Sequence, residues 1–442
     1  MRKSLFPPSV ILLAVPLLLV PFSTAAPAIQ GIPETPVRHT APAQERDWAD
    51  IETWTYQLQG YSGNSLDEIG SSHFDLAVVD YSADGTGATE WTAAEVHSAR
   101  TGPNGPRRMV AYLSIGEAED YRFYWEPWWQ VGDPEFIVSE NPQWPGNYKV
   151  KYWDSEWQAI LFGSPDAYLD RILAQDFDGI YLDLVDSYLE SYARQELGSK
   201  AAARQAMVDL VLALADYARA AKGDDFAIFP QNAEEIAEDH PEYVAGVNGI
   251  GKEETYFEAT NQRTSNNDRF WTEENLDRYL TAGPWGFGLV LEVDYANQNS
   301  KIDETYDICM NYKDYIPYCT RVDLDRMTVN DGHEPWSDGR ITCTVMRGSF
   351  LVNNADLEIE RQSPSPAALQ TAVTPASGTH EFRMVAEGQW LVTASKSGDV
   401  ATAMVDLELS EHESVVLDLD AESSPPSPSS RRERRRALCT TR

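Results

Sequence analysis

From residue 48 to about residue 329, short apolar runs rich in β-branched and aromatic residues alternate with amphipathic stretches. Runs at 54–58, 75–80, 108–114, 148–153, 179–183, 226–230, 246–250, 287–293 and 315–320 read as strands. The segment 199–221, SKAAARQAMVDLVLALADYARAA, is rich in Ala and Leu with apolar positions at helical spacing, so it reads as a long helix. Strands separated by helices imply a parallel sheet, because a parallel pair needs a crossover connection. The span 48–332 fits one α/β domain, a (β/α)8 TIM barrel, with nine candidate strands competing for eight places. A doubly wound open sheet is the rival. No glycine-rich phosphate loop follows an early strand, however, and GVNGIG at 246–251 precedes no long helix. No cofactor and no metal are expected.

Beyond residue 338 the period shortens to two. ITCTVMRGSFLVNNADLEI, GTHEFRMVAEGQWLVTA and ATAMVDLELSEHESVVLDL alternate between turn signals, which predicts a small all-β sandwich domain over 338–421. The Ser/Pro/Arg tail at 422–442 has no periodicity and is expected to be disordered. At the other end, residues 1–28 carry two cations, a Pro-broken apolar stretch and small residues suited to cleavage, the pattern of a secretory signal peptide. A Pro-rich linker follows at 29–47. No other stretch approaches the roughly 20 apolar residues of a spanning helix. The mature protein is therefore expected to be secreted and extracellular, without a membrane span. Export permits disulfides, and Cys309 and Cys319, which bound CMNYKDYIPYC, are the preferred pair. Cys439 lies in the tail and leaves Cys343 without a stable bridge.

Charge narrows the partners. The chain has 70 Asp and Glu against 35 Lys and Arg, a formal net charge of −35. Such a surface repels phosphate backbones and anionic membranes and draws cationic ligands into any concave acidic site, so nucleic acid is excluded as a partner. Acid-rich, Lys-poor surfaces also suit salt tolerance, and charge alone does not separate the two causes. A hydrophobic fraction of 42% excludes disorder of the whole chain.

Acids close several of the predicted strands. Asp80, Glu117, Asp183 with Asp186, Glu253 with Glu254, and Glu292 with Asp294 follow apolar runs, and Asn232 follows IFPQ. A single acid at such a place is more often a helix cap, but in a barrel the carboxyl ends of the strands form one face. Two carboxyls across a sugar linkage suffice for glycoside hydrolysis, one protonating the leaving oxygen and the other attacking carbon or activating water. Trp125, Trp128, Trp129, Trp144, Trp153, Trp157 and Trp285 lie in segments after strands, where indole faces can stack on sugar rings.

The blocks FDLAVVDYS, RMVAYLSIGEAEDYRFYW, VKYWDSEWQAI, LDRILAQDFDGIYLDLVDSY, FAIFPQNAEEI, GVNGIGKEETYF and YIPYCTRVDLDRM, in unbroken order, resemble the endo-α-1,4-polygalactosaminidases of glycoside hydrolase family 114. The resemblance implies a (β/α)8 barrel that cuts α-1,4-linked galactosamine polymers without a cofactor. It implies Asp183 as nucleophile and Glu253, favoured over Glu254, as general acid/base. It gives Asp80, Glu117, Asp186, Asn232 and Asp294 as substrate-binding or pKa-setting, and Trp153, Glu254 and Glu292, from their places after or at the ends of strands, join the substrate-binding candidates. Fungal members carry Asn after the catalytic Asp, where Leu184 stands here. The C-terminal alternation resembles the carboxypeptidase-regulatory-like and collagen-adhesin B-type sandwiches. The expected activity is internal cleavage of an amino-sugar polysaccharide. The rivals are an inactive polysaccharide-binding protein, which would bind polymer without making reducing ends, and an exo-acting α-galactosidase-like hydrolase, which would release only monosaccharide.

Overall fold

The computed structural model describes residues 45–258, 260–335, 339–363, 369–385, 388–407 and 412–420. The expected signal peptide, the Ser/Pro/Arg tail and Cys439 lie outside them. Eight strands run parallel in chain order: β1 (Trp54–Gln57), β2 (Leu76–Val79), β3 (Arg108–Ser114), β4 (Gly179–Asp183), β5 (Ala227–Pro230), β6 (Gly249–Glu253), β7 (Leu289–Asp294) and β8 (Ile316–Cys319). The first five form one ladder and the last three another. The two meet where Asn248 N donates to Ile228 O at 2.9 Å and Asn232 N to Gly251 O at 2.8 Å. Between β1 and β8, Trp54 Nε1 donates to Ile316 O at 2.9 Å and Thr55 Oγ1 bonds the Tyr318 hydroxyl at 3.0 Å.

Strand pleating sorts the side chains into two layers. Trp54, Tyr56, Val78, Val110, Tyr112, Tyr181, Phe229, Leu291, Val293 and Tyr318 form one buried cluster on one face of the strands. Ala77, Val79, Met109, Ala111, Ile180, Leu182, Ile228 and Val290 face the helices. Each large side chain so buried contributes about 1.5–3 kcal/mol of transfer free energy. The helix expected at 199–221 is Lys200–Lys222, capped by Ser199 and ended at Gly223, whose φ of 95° suits glycine. It buries Met207, Val208, Val211, Leu214 and Ala218 at helical spacing.

Two expectations for the strands change. Residues 148–153 form no member of the parallel set. Asn147–Val150 pairs antiparallel with Glu117–Glu119 and Ile137–Glu140 in an insertion between β3 and the helix Ser155–Leu161. The sixth parallel strand starts later than expected, because Gly246 still belongs to the helix Pro241–Gly246.

After residue 338, strands of two antiparallel-rich sheets enclose Ile341, Cys343, Ile359, Phe382, Trp390 and Val392. This module is fixed to the parallel part by charge-assisted bonds. Thr371 donates its N–H and hydroxyl to Asp307 at 2.8 and 2.9 Å, and Arg340 pairs with Glu52 at 2.5 Å. Glu52 precedes β1, so the contact lies towards the amino ends of the strands and leaves their carboxyl ends uncovered.

The expected Cys309–Cys319 bridge is not formed: both are buried free thiols. Cys309 opens a π turn, and Asp314, in the left-handed region, brings the chain directly into β8 with Tyr315 N donating to Cys309 O at 3.0 Å. Backbone bonds therefore already close this connection. Among the described residues, no helix is long and apolar enough to cross a membrane.

Candidate active site

Three neighbouring strands each end at a polar inward-facing residue, followed at once by a left-handed one. Asp183 is followed by Leu184 (φ 60°), Gln231 by Asn232 (φ 60°) and Glu253 by Glu254 (φ 60°). Outside glycine this conformation costs on the order of 1 kcal/mol per residue, and its recurrence here turns the chain sharply enough to leave the preceding side chains at the strand mouth. Gly251 makes room beneath them, since a Cβ there would overlap the Tyr181 hydroxyl. Within GVNGIG, the last glycine thus admits the Tyr181 ring.

Asp183 and Glu253 are half-buried and close enough for the charge on Glu253 to act directly on Asp183. Asp183 Oδ2 accepts from the Tyr112 hydroxyl at 2.6 Å and Oδ1 from Leu184 N at 2.7 Å. Burial, and then repulsion from Glu253, push its carboxyl up to about 8 against those two bonds. Tyr295 donates to Glu253 Oε1, while Gln231 and Asn232 donate to Oε2, the latter at 3.0 Å. Gln231 is fixed from behind by the Tyr56 hydroxyl at 3.1 Å. Glu253, not Glu254, receives these bonds. Glu254 donates its N–H to Val293 O at 2.9 Å, and its carbonyl accepts from Thr264 at 3.1 Å.

Asp186 lies beside this pair. Burial raises its carboxyl to about 6, with Lys252 opposing and Glu253 adding to the rise. Glu117 flanks it, buried and also raised to about 6, with Asn141 donating to Oε1 at 2.9 Å. Asp80 is committed elsewhere: Arg122 binds it at 2.8 Å and Glu119 at 2.5 Å, and all three are buried. Tyr121 also donates to Glu119, at 2.5 Å, tying this ion-pair group to the insertion. Trp153 is half-buried and stacks on Tyr192 at 6.1 Å, on the flank where Tyr192 senses both Glu117 and Asp186.

Glu292 and Asp294 do not belong to the site. They share the parity of Val290 and face the helix layer, fully buried. Asp294 accepts from Tyr256 N, Phe257 N and the Thr305 hydroxyl at 3.2, 3.1 and 2.6 Å. Burial, and then repulsion from Asp294, push the Glu292 carboxyl well above the usual range. Two of the tryptophans are structural. Trp157 is buried with Nε1 on Ile115 O, and Trp285 stacks on Trp48 at 4.9 Å. Trp128 and Trp144, on the insertion, are 70% and 49% exposed and free to meet a ligand. Sequence reasoning missed Tyr112, Gln231 and Tyr295, yet parity marks all three: each lies an even number of residues from an inward-facing neighbour in its own run.

A model of glycoside-hydrolase family GH114 matches residues 37–340. The chain belongs to that family. An uncharacterized protein of Deinococcus radiodurans is 39% identical over 309 residues, covering 70% of this chain and 92% of its own length. An uncharacterized protein of Thermotoga maritima is 37% identical over 294 residues, covering 64% and 86%. Among solved structures, Amy13B of Eubacterium rectale aligns over 80% of this chain and 85% of its own at 10% identity, with a TM-score of 0.37. The GH114 match spans β1 to β8, and so covers every residue of the site described above.

Proposed function

We propose that this GH114 protein is an exported hydrolase that cleaves an α-1,4-linked galactosamine polymer internally, with retention, on a closed (β/α)8 barrel. The meeting of Asp183 and Glu253 at the carboxyl ends of β4 and β6 carries this reading, because two carboxyls of unlike protonation are what glycosidic cleavage needs. Asp183 attacks the anomeric carbon while Glu253 gives its proton to the departing glycosidic oxygen. Glu253 then takes a proton from the water that releases the sugar from Asp183. In the free protein burial, and then the charge of Glu253, favour a proton on Asp183. An ammonium group on a bound sugar beside Asp183 favours its carboxylate, the form that attacks. Tyr112 and Tyr295, one on each carboxyl, keep the two side chains in register. The N-terminal 28 residues support export.

Incubation with de-N-acetylated and N-acetylated α-1,4-galactosamine polymers, followed by sizing of the products, tests the proposal. Oligosaccharides from the deacetylated polymer, lost in Asp183→Asn, are expected. Binding without new reducing ends would instead favour a polysaccharide-binding protein, and monosaccharide alone an exo-acting hydrolase.

A further inference from the structure

Lys252 precedes Glu253 on β6, and its half-buried ammonium reaches across the strand end. It donates to Asn232 Oδ1 at 3.2 Å and to the Glu253 carbonyl at 2.9 Å. Asn232 Oδ1 also accepts Glu253 N–H at 3.2 Å, and Asn232 Nδ2 donates to Glu253 Oε2 at 3.0 Å. A side-chain amide has one accepting and one donating end. With an ammonium and an N–H both aimed at one end, that end must be the carbonyl, so the NH2 must face the Glu253 carboxylate. The amide has little freedom otherwise, because the Asn232 backbone is left-handed and its N–H is tied to Gly251 O at 2.8 Å.

We propose that Lys252 is a positioning residue that acts through Asn232, fixing the amide so that Glu253 is held facing Asp183. The inference rests on the two-carboxylate reading of the site. The charged groups around the ammonium are Asp186 and Glu253 on the mouth side, Glu234, whose Oε1 is 3.8 Å away, and Glu292 on β7; Glu235 and Asp183 lie beyond them. Lys252 opposes the upward push on Asp186 and on Glu292. Its removal therefore disorders the amide and raises the carboxyls together.

The test compares Lys252→Met and Lys252→Arg with the parent in full-length protein. Lys252→Met is expected to lower kcat by about ten-fold or more with little change in KM, since a displaced catalytic group costs rate more than binding. Both limbs of its pH profile should move to higher pH, and Lys252→Arg should recover most of the rate. Carboxyl 13C titration by NMR reads the same inference without turnover: the Asp186 signal should titrate at higher pH in Lys252→Met. If the parent hydrolyses none of the polymers, the functional reading fails while the titration still judges Lys252. Parent-like kcat with an unmoved pH profile, or unmoved titrations, would overturn the inference, and Lys252→Gln serves if the Met variant does not fold.

Discussion

Burial and the charge of Glu253 give Asp183 a folded-state affinity for protons that the unfolded chain lacks, with its carboxyl pushed up to about 8 from the usual carboxylate range. Between those values the folded state holds a proton the unfolded state has released, so stability falls as pH rises through the window and levels off above it. Asp183→Asn removes that term. It is expected to abolish turnover and to raise stability at pH 8 by about 1–2 kcal/mol, with no gain near pH 3.5, as read by denaturant melts at the two pH values. The gain is set well below the full shift because the new NH2 group faces either the Tyr112 or the Leu184 donor. Turnover of the parent should decline above about pH 8, as the carboxyl pair loses its last proton. Glu292→Gln probes the opposite side of the strands. The amide mimics the neutral form that burial favours, so kcat should stay within about two-fold of the parent. A large loss would place Glu292 back in the cleft.

At the level of strands and turns, the left-handed residue after each of three strands links backbone shape to catalytic aim. Leu184 tests this most directly, because its N–H holds Asp183 Oδ1 while its φ of 60° penalises a branched side chain. Leu184→Asn should keep turnover and remain within about 1 kcal/mol of parent stability, since Asn tolerates the left-handed region. Leu184→Val should lose about 1–2 kcal/mol and much of kcat, because relaxing the turn re-aims Asp183. Comparing kcat with denaturation midpoints for the two variants would show whether aim and strain travel together. The order of the parallel strands was legible from alternating apolar runs, and the site followed from acids at their ends. The sandwich strands followed from period-two patterning. What escaped was parity. In LVLEVD, Leu289, Leu291 and Val293 face the buried cluster, which sends Glu292 and Asp294 outward. In GIYLD the same rule sends Tyr181 and Asp183 inward. An acid that closes a strand is thus a site candidate only when it shares the parity of the core-facing residues, and by that rule Tyr112, Gln231 and Tyr295 were readable too. The strand at Asn147–Val150 escaped for another reason: its alternation is that of any strand, and only its pairing with Glu117–Glu119 marks it as part of an insertion.

Over the whole molecule, acids are divided between two settings. Asp209, Asp216, Glu274 and Asp277 stand exposed on outer helix faces, as salt adaptation would place them, while Asp183, Asp186, Glu117 and Glu253 gather at the strand mouth. Arg122 is taken up by Asp80 and Glu119 and Arg108 by Asp178, so at the mouth the four carboxyls face chiefly the Lys252 ammonium. The sandwich binds towards the opposite end and leaves the mouth open to solvent. A polymer of free amines is then drawn in by long-range attraction that salt weakens, because the screening length shrinks from about 30 Å at 0.01 M to about 10 Å at 0.1 M. The expected outcome is that kcat/KM on the deacetylated polymer falls about ten-fold across that range, mostly through KM, while kcat holds. An acetylated polymer, which lacks the charge, should show no such slope. Exposed helix acids repel one another at low salt, so thermal stability should rise over the same range in which recruitment weakens. Opposite salt slopes for stability and for kcat/KM would separate the two settings of acid; parallel slopes would mean that the cleft acids contribute no attraction beyond that of the surface as a whole.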